Sequence, residues 1–386
     1  MILELLGFTK TKTYKLKNFN YLIQEVNSKT EGFLLELKKQ NDTFNFFPAL
    51  EGLTSAGKNL NLGFSCYALK IFFILGLWEK LDSDSKNSWK NYISDFQINK
   101  KNPSENLFID NSYLSYYQRF SLNKLLKNTS KKILNLAGVG RYITDEEKLK
   151  NSLRAETKQA ISTLNQINEK SKFEFFEFNN NTLELESYLN SLDWSKPWSA
   201  GGQFSALCLF SKINNSKEGI NLLRNFSSEL VDKHTGFYFK GDLPNSSETV
   251  NGAMKVVSGL DWIDEPIHYP EKLIDMCLKT QPKSEGCDLV DIVYVIYKAS
   301  KFTNYKKKEI VEYCKNLVED IYSHYHPEKG GFSYFINKSQ TEYYGVQISK
   351  GVNSPDLHGT LLLVWALSML IEIFEENNFG WKILKP

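Results

Sequence analysis

Apolar residues recur every three or four positions along most of the chain, whereas the two-residue alternation of a half-buried strand is nearly absent. From Leu60 to Trp78 an apolar face runs through Phe64, Ala68, Ile71, Phe72 and Leu75, which predicts a helix. Asp82-Ser83-Asp84-Ser85 supplies cap residues for a second helix reaching about Phe96. The same period predicts helices from Asn111 to Leu126 and from Thr144 to about Ile167, then near Leu183 to Leu192, Ala200 to Phe210 and Ser216 to Leu230. Further along, helices are expected over Glu248 to Leu260, Pro270 to Leu278, Cys287 to Ala299, Lys306 to Tyr325 and Asp356 to Phe374.

Gly-aromatic turns lie between helix pairs, at Thr235-Gly236-Phe237-Tyr238 and Gly330-Gly331-Phe332-Ser333-Tyr334. About a dozen helices in antiparallel pairs, with no Pro/Ser-rich linker, point to a single all-α domain over residues 1–386, residues 1–55 forming an irregular lead-in. A closed ring and an open solenoid both satisfy this pattern, and they differ at the ends. A solenoid needs polar outer faces on its terminal repeats. Here the last helix is apolar around its circumference through Leu361-Leu362-Leu363-Val364-Trp365-Ala366-Leu367, which marks a buried helix. The expected architecture is therefore an (α/α)6 toroid, its last helix closing against its first.

Charge narrows the partners. Lys plus Arg (47) nearly balances Asp plus Glu (45), so no global field favours nucleic acid or an anionic membrane. The longest apolar runs, Tyr67 to Trp78 (interrupted by Lys70) and Leu361 to Ile371, fall short of the ~20 residues needed to span a bilayer. No signal peptide is recognised at Met1 to Gly7, and five scattered cysteines form no disulfide framework, so a reducing cytoplasm is expected.

Two segments carry candidate chemistry. Cys287 lies in Glu285-Gly286-Cys287-Asp288-Leu289-Val290-Asp291, and His358 lies in Pro355-Asp356-Leu357-His358-Gly359-Thr360, each at the start of an apolar helix. Thiol, imidazole and carboxylates at two helix mouths can hold a metal or transfer protons. They also fit a structural role, with Cys287 as a small buried hydrophobe and Asp288 and Asp356 as helix caps. Asp291 sits in an otherwise apolar stretch, so it needs a partner or a wet cavity. Trp194 and Trp198 are candidates for stacking on a substrate or for anchoring a loop. Asn251 and Lys255 share a helix face, and an inward Lys255 would meet an anionic group. Arg154 and Glu156 are expected on an exposed face or in an ion pair. Tyr334, Tyr343 and Tyr344 together with His358 suit acid/base chemistry on a sugar.

The Gly-aromatic turns between helix pairs resemble the repeats of the terpenoid cyclase and protein prenyltransferase toroids. Glu285-Gly286-Cys287 is similar to the acidic-Gly-Cys segment that supplies two zinc ligands in prenyltransferase β subunits, and Pro355 to Thr360 is similar to the segment that supplies their His ligand. That resemblance implies a zinc site of Glu285, Cys287 and His358, with no other cofactor. It implies acid/base or metal-assisted chemistry by His358, Asp356, Asp288 and Asp291 in an aromatic cavity where Trp194 and Trp198 contact the substrate; Asn251, Lys255 and Tyr334 are further candidates for substrate binding on their own chemistry. The Asp-rich motif of squalene-type cyclases is absent. Two other functions fit the same fold, a carbohydrate-active toroid (glycosidase, polysaccharide lyase or epimerase) taking a glycan, and a non-catalytic scaffold. A cavity lined by aliphatic groups and Phe would favour an isoprenoid, one with Trp, Asp, Arg and amides a sugar, and one plugged by side chains the scaffold.

Overall fold

The computed structural model describes residues 18–40, 44–118, 122–139, 142–376 and 379–386. Sixteen α-helices occur among them, and the only strands among these residues are four of two residues each. The helices are α1 (Phe19–Leu37), α2 (Ser55–Asn59), α3 (Leu62–Ile74), α4 (Leu77–Lys80), α5 (Ser83–Ser94), α6 (Asn111–Gln118), α7 (Leu122–Leu136) and α8 (Asp145–Gln166). They continue as α9 (Thr182–Ser191), α10 (Pro197–Ile213), α11 (Lys217–Leu230), α12 (Ser246–Trp262), α13 (Pro270–Leu278), α14 (Gly286–Ser300), α15 (Lys307–Tyr322) and α16 (Leu357–Ile373).

Six of these form an inner ring. α3 packs on α8, α8 on α10, α10 on α12, α12 on α14, α14 on α16, and α16 returns to α3. The ring is closed, and the fold is an (α/α)6 toroid. Before each inner helix in the chain comes an outer one: α1, α5, α9, α11, α13 and α15 respectively. The apolar pattern sorts the two rings. α3 is buried at every residue except Phe73, and α16 is buried continuously from Gly359 to Ile371, so both present apolar surface all round. Outer α15 buries a single stripe, Ile310, Cys314, Leu317, Val318 and Ile321, and turns its polar face to water.

Local chemistry sets the helix ends. Thr144 and Glu147 form a reciprocal capping box at the start of α8, and Asp82 caps α5 by accepting from Ser85 N–H. The helix predicted over Leu60 to Trp78 is broken by Gly76, whose φ of +68° is the left-handed geometry glycine supplies. The predicted helix from Asn111 to Leu126 is two helices, with residues 119–121 outside the described ones. Residues 19–37 are no irregular lead-in but the first outer helix. Its apolar positions Leu22, Ile23, Val26, Phe33, Leu34 and Leu37 are in register, yet the polar run Asn27-Ser28-Lys29-Thr30 obscures them in the sequence.

Small residues let α10 and α12 approach closely. A Cβ on Gly252 would lie 2.6 Å from Pro197 Cβ and 2.9 Å from its backbone carbon, and one on Gly201 would lie 3.1 Å from Gly252 O. Helix propensity alone makes Ala better than Gly by about 1 kcal/mol. Backbone overlap opposes it, so Gly252→Ala is expected to cost ~1–3 kcal/mol net. Thermal unfolding followed by circular dichroism decides the sign, and a raised midpoint would show that the two helices part freely.

The ends of the ring differ. At one, residues 379–386 cross the C-terminal ends of the inner helices. Lys382 N–H donates to Ile74 O (2.7 Å), Lys385 N–H to Gln166 Oε1 (3.0 Å), and Trp262 Nε1–H to Pro386 O (2.5 Å). This tail makes a floor. At the other end the hairpin of β1 (Tyr325–His326) and β2 (Gly331–Phe332), and that of β3 (Glu342–Tyr343) and β4 (Val346–Gln347), flank a rim loop. No helix among the described residues is long and apolar enough to cross a membrane.

Candidate active site

Between floor and rim lies a cavity of about 650 Å³. Every inner helix contributes to its wall: Tyr67 and Lys70 from α3, Lys158 and Gln159 from α8, Trp198 and Gln203 from α10, Lys255 from α12, Cys287 and Asp291 from α14, and His358 and Trp365 from α16. The rim loop adds Tyr334, Gln340, Glu342, Tyr343 and Tyr344, and the tail adds Leu384 and Pro386 below.

The titratable groups are shaped by this setting. Asp291 is 1% exposed. Burial raises its pKa to about 7, with Lys255 pulling it down and Asp288 pushing it up. A carboxyl poised near neutrality can give or take a proton. His358 is stacked between Tyr67 (ring centroids 4.7 Å apart, planes 6° apart) and Tyr334 (5.5 Å, 27°). Burial and the Lys255 charge lower its pKa to about 3, which keeps the imidazole neutral. Burial, more than the nearby Asp291 carboxylate, raises the Cys287 thiol to about 12, so it stays protonated. Behind the wall, Glu156 accepts from the Tyr343 hydroxyl, and burial raises its pKa to about 8.

Several wall groups are left without partners inside the protein. Asp291 Oδ2, His358 Nδ1, Gln159 Nε2, Gln340 Oε1 and Trp365 Nε1 are all buried, lack a hydrogen-bond partner, and belong to residues lining this one cavity. An unmet buried donor or acceptor costs about 1–3 kcal/mol, so five on residues lining one space make this wall a costly one for the fold alone.

The structure divides the residues singled out in the sequence. His358, Asp291, Cys287, Lys255, Trp198 and Tyr334 reach the cavity. Asp356 does not: it caps α16, accepting from Gly359 N–H (2.8 Å), and ties down the rim loop by accepting from Tyr334 N–H (2.7 Å) and Gln340 N–H (3.0 Å). Asp288 faces away as well. It accepts from Asn251 Nδ2 (2.7 Å) and Ser247 Oγ (2.9 Å), so Asn251 holds a carboxylate rather than a substrate. Trp194 is 2% exposed, donates to Leu189 O (3.0 Å), and packs on Phe204 and Phe226 as a loop anchor. Glu156 and Arg154 are buried rather than on an exposed face, and Arg154 is in the ion pair expected as the alternative, with Glu177.

Glu285, Cys287 and His358 do not fit a zinc ion. Among the described residues no three His, Cys, Asp or Glu side chains cluster as metal ligands would. A cation already stands beside these groups, since the field of Lys255 acts on Cys287, Asp291 and His358 alike and opposes a second positive charge there.

Several wall residues were not singled out. Lys70 carried a usable signal, a lone charge inside an apolar run, the same one that marked Asp291. Lys158, Gln159 and Gln340 carried none, since polar residues on a helix or loop read as solvated.

No family model matches the sequence, and no curated protein matches it. Among solved structures, the chain is similar to an inactive variant of the alpha-1,6-mannanase GH76A of Salegentibacter sp. HEL1_6 in complex with alpha-1,6-mannotetrose, at 11% identity over 92% of this chain and 99% of that one, with a TM-score of 0.47. It is also similar to a possible member of the GH105 family from Salmonella enterica serovar Paratyphi A, at 12% identity over 95% of this chain and 97% of that one, with a TM-score of 0.38. Identity this low says nothing about the residues in the cavity.

Proposed function

We propose that this chain is a carbohydrate-active enzyme that binds a glycan in the central cavity and acts on it by proton transfer from Asp291. The observation that carries this reading is one cavity whose lining residues bring amide, imidazole, indole, hydroxyl and carboxyl groups together, several of them with polar atoms unpartnered within the protein. A sugar ring offers hydroxyls in several directions, each able to donate and to accept, and so satisfies amide, imidazole, indole and carboxyl groups together. Trp198, Tyr67 and Tyr334 supply flat surface for ring faces. Asp291, protonated over about half the population at its pKa of about 7, passes its proton to the departing glycosidic oxygen. Glu342, at the rim, is the other carboxylate among the lining residues, and a pair of carboxylates is what most glycosidases use.

An isoprenoid, the substrate suggested by the cyclase resemblance, needs an apolar wall. Here no Phe lines the cavity, and Met254, Leu361, Leu362 and Leu384 are interspersed with amides, three lysines and two carboxyls, which an isoprenoid would leave unmet. The experiment is to incubate the full chain with a panel of neutral and acidic oligosaccharides, following new reducing ends and the ultraviolet absorbance of unsaturated products. New reducing ends without that absorbance indicate hydrolysis, and with it elimination. If no glycan is bound or altered while isoprenoid diphosphates are, the reading is wrong.

A further inference from the structure

The cavity has a second chemical feature that proton transfer does not use. Lys70, Lys158 and Lys255 project into it from three different inner helices. Their positions are deep: residue 70 in a helix that starts at 62, residue 158 in one that starts at 145, and residue 255 in one that starts at 246, whereas His358 stands next to the first residue of α16. The lysines thus lie toward the floor, with His358 nearer the rim.

Lys70 and Lys158 have no acidic partner among the described residues, and Lys255 is shared with Asp291. Lys70, 3% exposed, donates to Gln159 Oε1 (3.2 Å) and Ser162 Oγ (3.0 Å). Lys158 donates to Ser205 Oγ (2.9 Å), itself 2.7 Å from Ser258 Oγ. Among the described residues, no carboxylate forms an ion pair with either, and the strongest cationic fields each feels come from its fellow lysines. Buried charges are ordinarily paired, and gathering three of one sign in a partly dry space is unfavourable. Neutral residues would fill that wall at no such cost, so the cluster points to a ligand that brings the negative charge itself.

Resting on the carbohydrate reading above, we propose that Lys70, Lys158 and Lys255 form an anion subsite at the floor of the cavity, and that the glycan it takes carries an acidic group on its sugar ring. Lys255 links the two halves of the site, since its charge acts on Asp291 and His358 on one side and on Lys70 and Lys158 on the other. An acidic ring held on the lysines would therefore place its neighbouring glycosidic bond toward Asp291. Burial and the mutual repulsion lower Lys158 to about 7, and burial lowers Lys70 to about 8, so binding an anion draws protons onto both.

The test is isothermal titration of the full chain with uronate oligosaccharides, with sulfated oligosaccharides, with sugar phosphates, and with neutral counterparts in which the carboxylate is reduced to an alcohol. Acidic forms are expected to bind roughly tenfold to a hundredfold tighter than their neutral counterparts, the range of a charge-assisted hydrogen bond, and to take up protons, read from buffers of different ionisation enthalpy. The arm that binds best identifies carboxylate, sulfate or phosphate. Lys158→Gln and Lys70→Met should each erase most of the preference for the acidic form and the proton uptake, with the fold intact by circular dichroism, because each removes a cation that no carboxylate offsets. Equal affinity for acidic and neutral forms, or an undiminished preference in both variants, overturns the anion subsite and leaves the carbohydrate reading standing. Failure of every glycan to bind overturns both.

Discussion

Replacing Asp291 with Asn is expected to raise thermal stability above neutral pH and, at the same time, to remove most of the catalytic rate. The two effects share one cause. Asp291 has a folded pKa of about 7 against 3.8 for an ordinary aspartate, because burial disfavours its charge. Between those values the folded state holds a proton that the unfolded state has released. Its contribution is fully present below pH ~4, is lost as pH rises toward ~7, and is level beyond, so the native carboxylate is a liability above neutrality. Asn keeps the shape without the charge, and the gain should be on the order of a few kcal/mol above neutral pH and vanish in mild acid. Thermal midpoints of both proteins across that pH range check the sign. Loss of a general acid costs about 10²–10⁴ in rate, measured on the glycan that the native chain processes fastest. The native rate should also fall as pH rises through ~7, as the proton needed for donation is lost. A native rate would show that Asp291 is not used, and a midpoint below the native one at high pH would show that burial does not strain it.

The ring was legible in the hydrophobic period because its physics is local. α3 and α16 are surrounded by other helices, so their sequences are apolar on every side and carry that signature openly. The site was legible only where polarity conflicts with its surroundings. Asp291 stands among Leu289, Val290, Ile292 and Val293, and such a conflict has few resolutions other than a cavity. Lys158 and Gln159 lie on α8, whose first half is ordinary solvated helix, and nothing in their neighbours distinguishes an inward face from an outward one. Asp288 and Asp356 show the opposite failure. Their motif position suggested proton-transfer groups as well as helix caps, yet the backbone N–H groups at a helix start, and the amide of Asn251, compete for the same oxygens and hold them. A motif specifies residue types at a spacing. It does not specify which way a carboxylate turns once closer donors are present.

The largest effect on stability is expected at Arg154, which lies behind the wall and touches no substrate. Its guanidinium is 2% exposed. It donates from Nε to Glu177 Oε2 (2.8 Å) and from Nη2 to Glu177 Oε1 (2.5 Å), a two-point carboxylate grip that only Arg geometry provides. Nη1 donates to Gln203 Oε1 (2.5 Å), and the group lies 4.6 Å from the centre of the Tyr188 ring. Gln203 lines the cavity, so its carbonyl being held by Arg154 leaves its NH₂ free to meet a ligand. Arg154→Met removes the cation and strands a largely buried Glu177, at an expected cost of ~3–5 kcal/mol in unfolding free energy. Adding Glu177→Gln removes the stranded charge and should restore most of that loss, since much of the single-variant penalty belongs to the orphaned partner. Glycan binding should not recover with it, because the Gln203 carbonyl still lacks its donor and the amide is free to turn. Equal destabilisation in the single and double variants would show the two charges to be uncoupled. Full recovery of binding in the double variant would show that Arg154 serves the fold alone, and that Gln203 needs no anchoring to do its part.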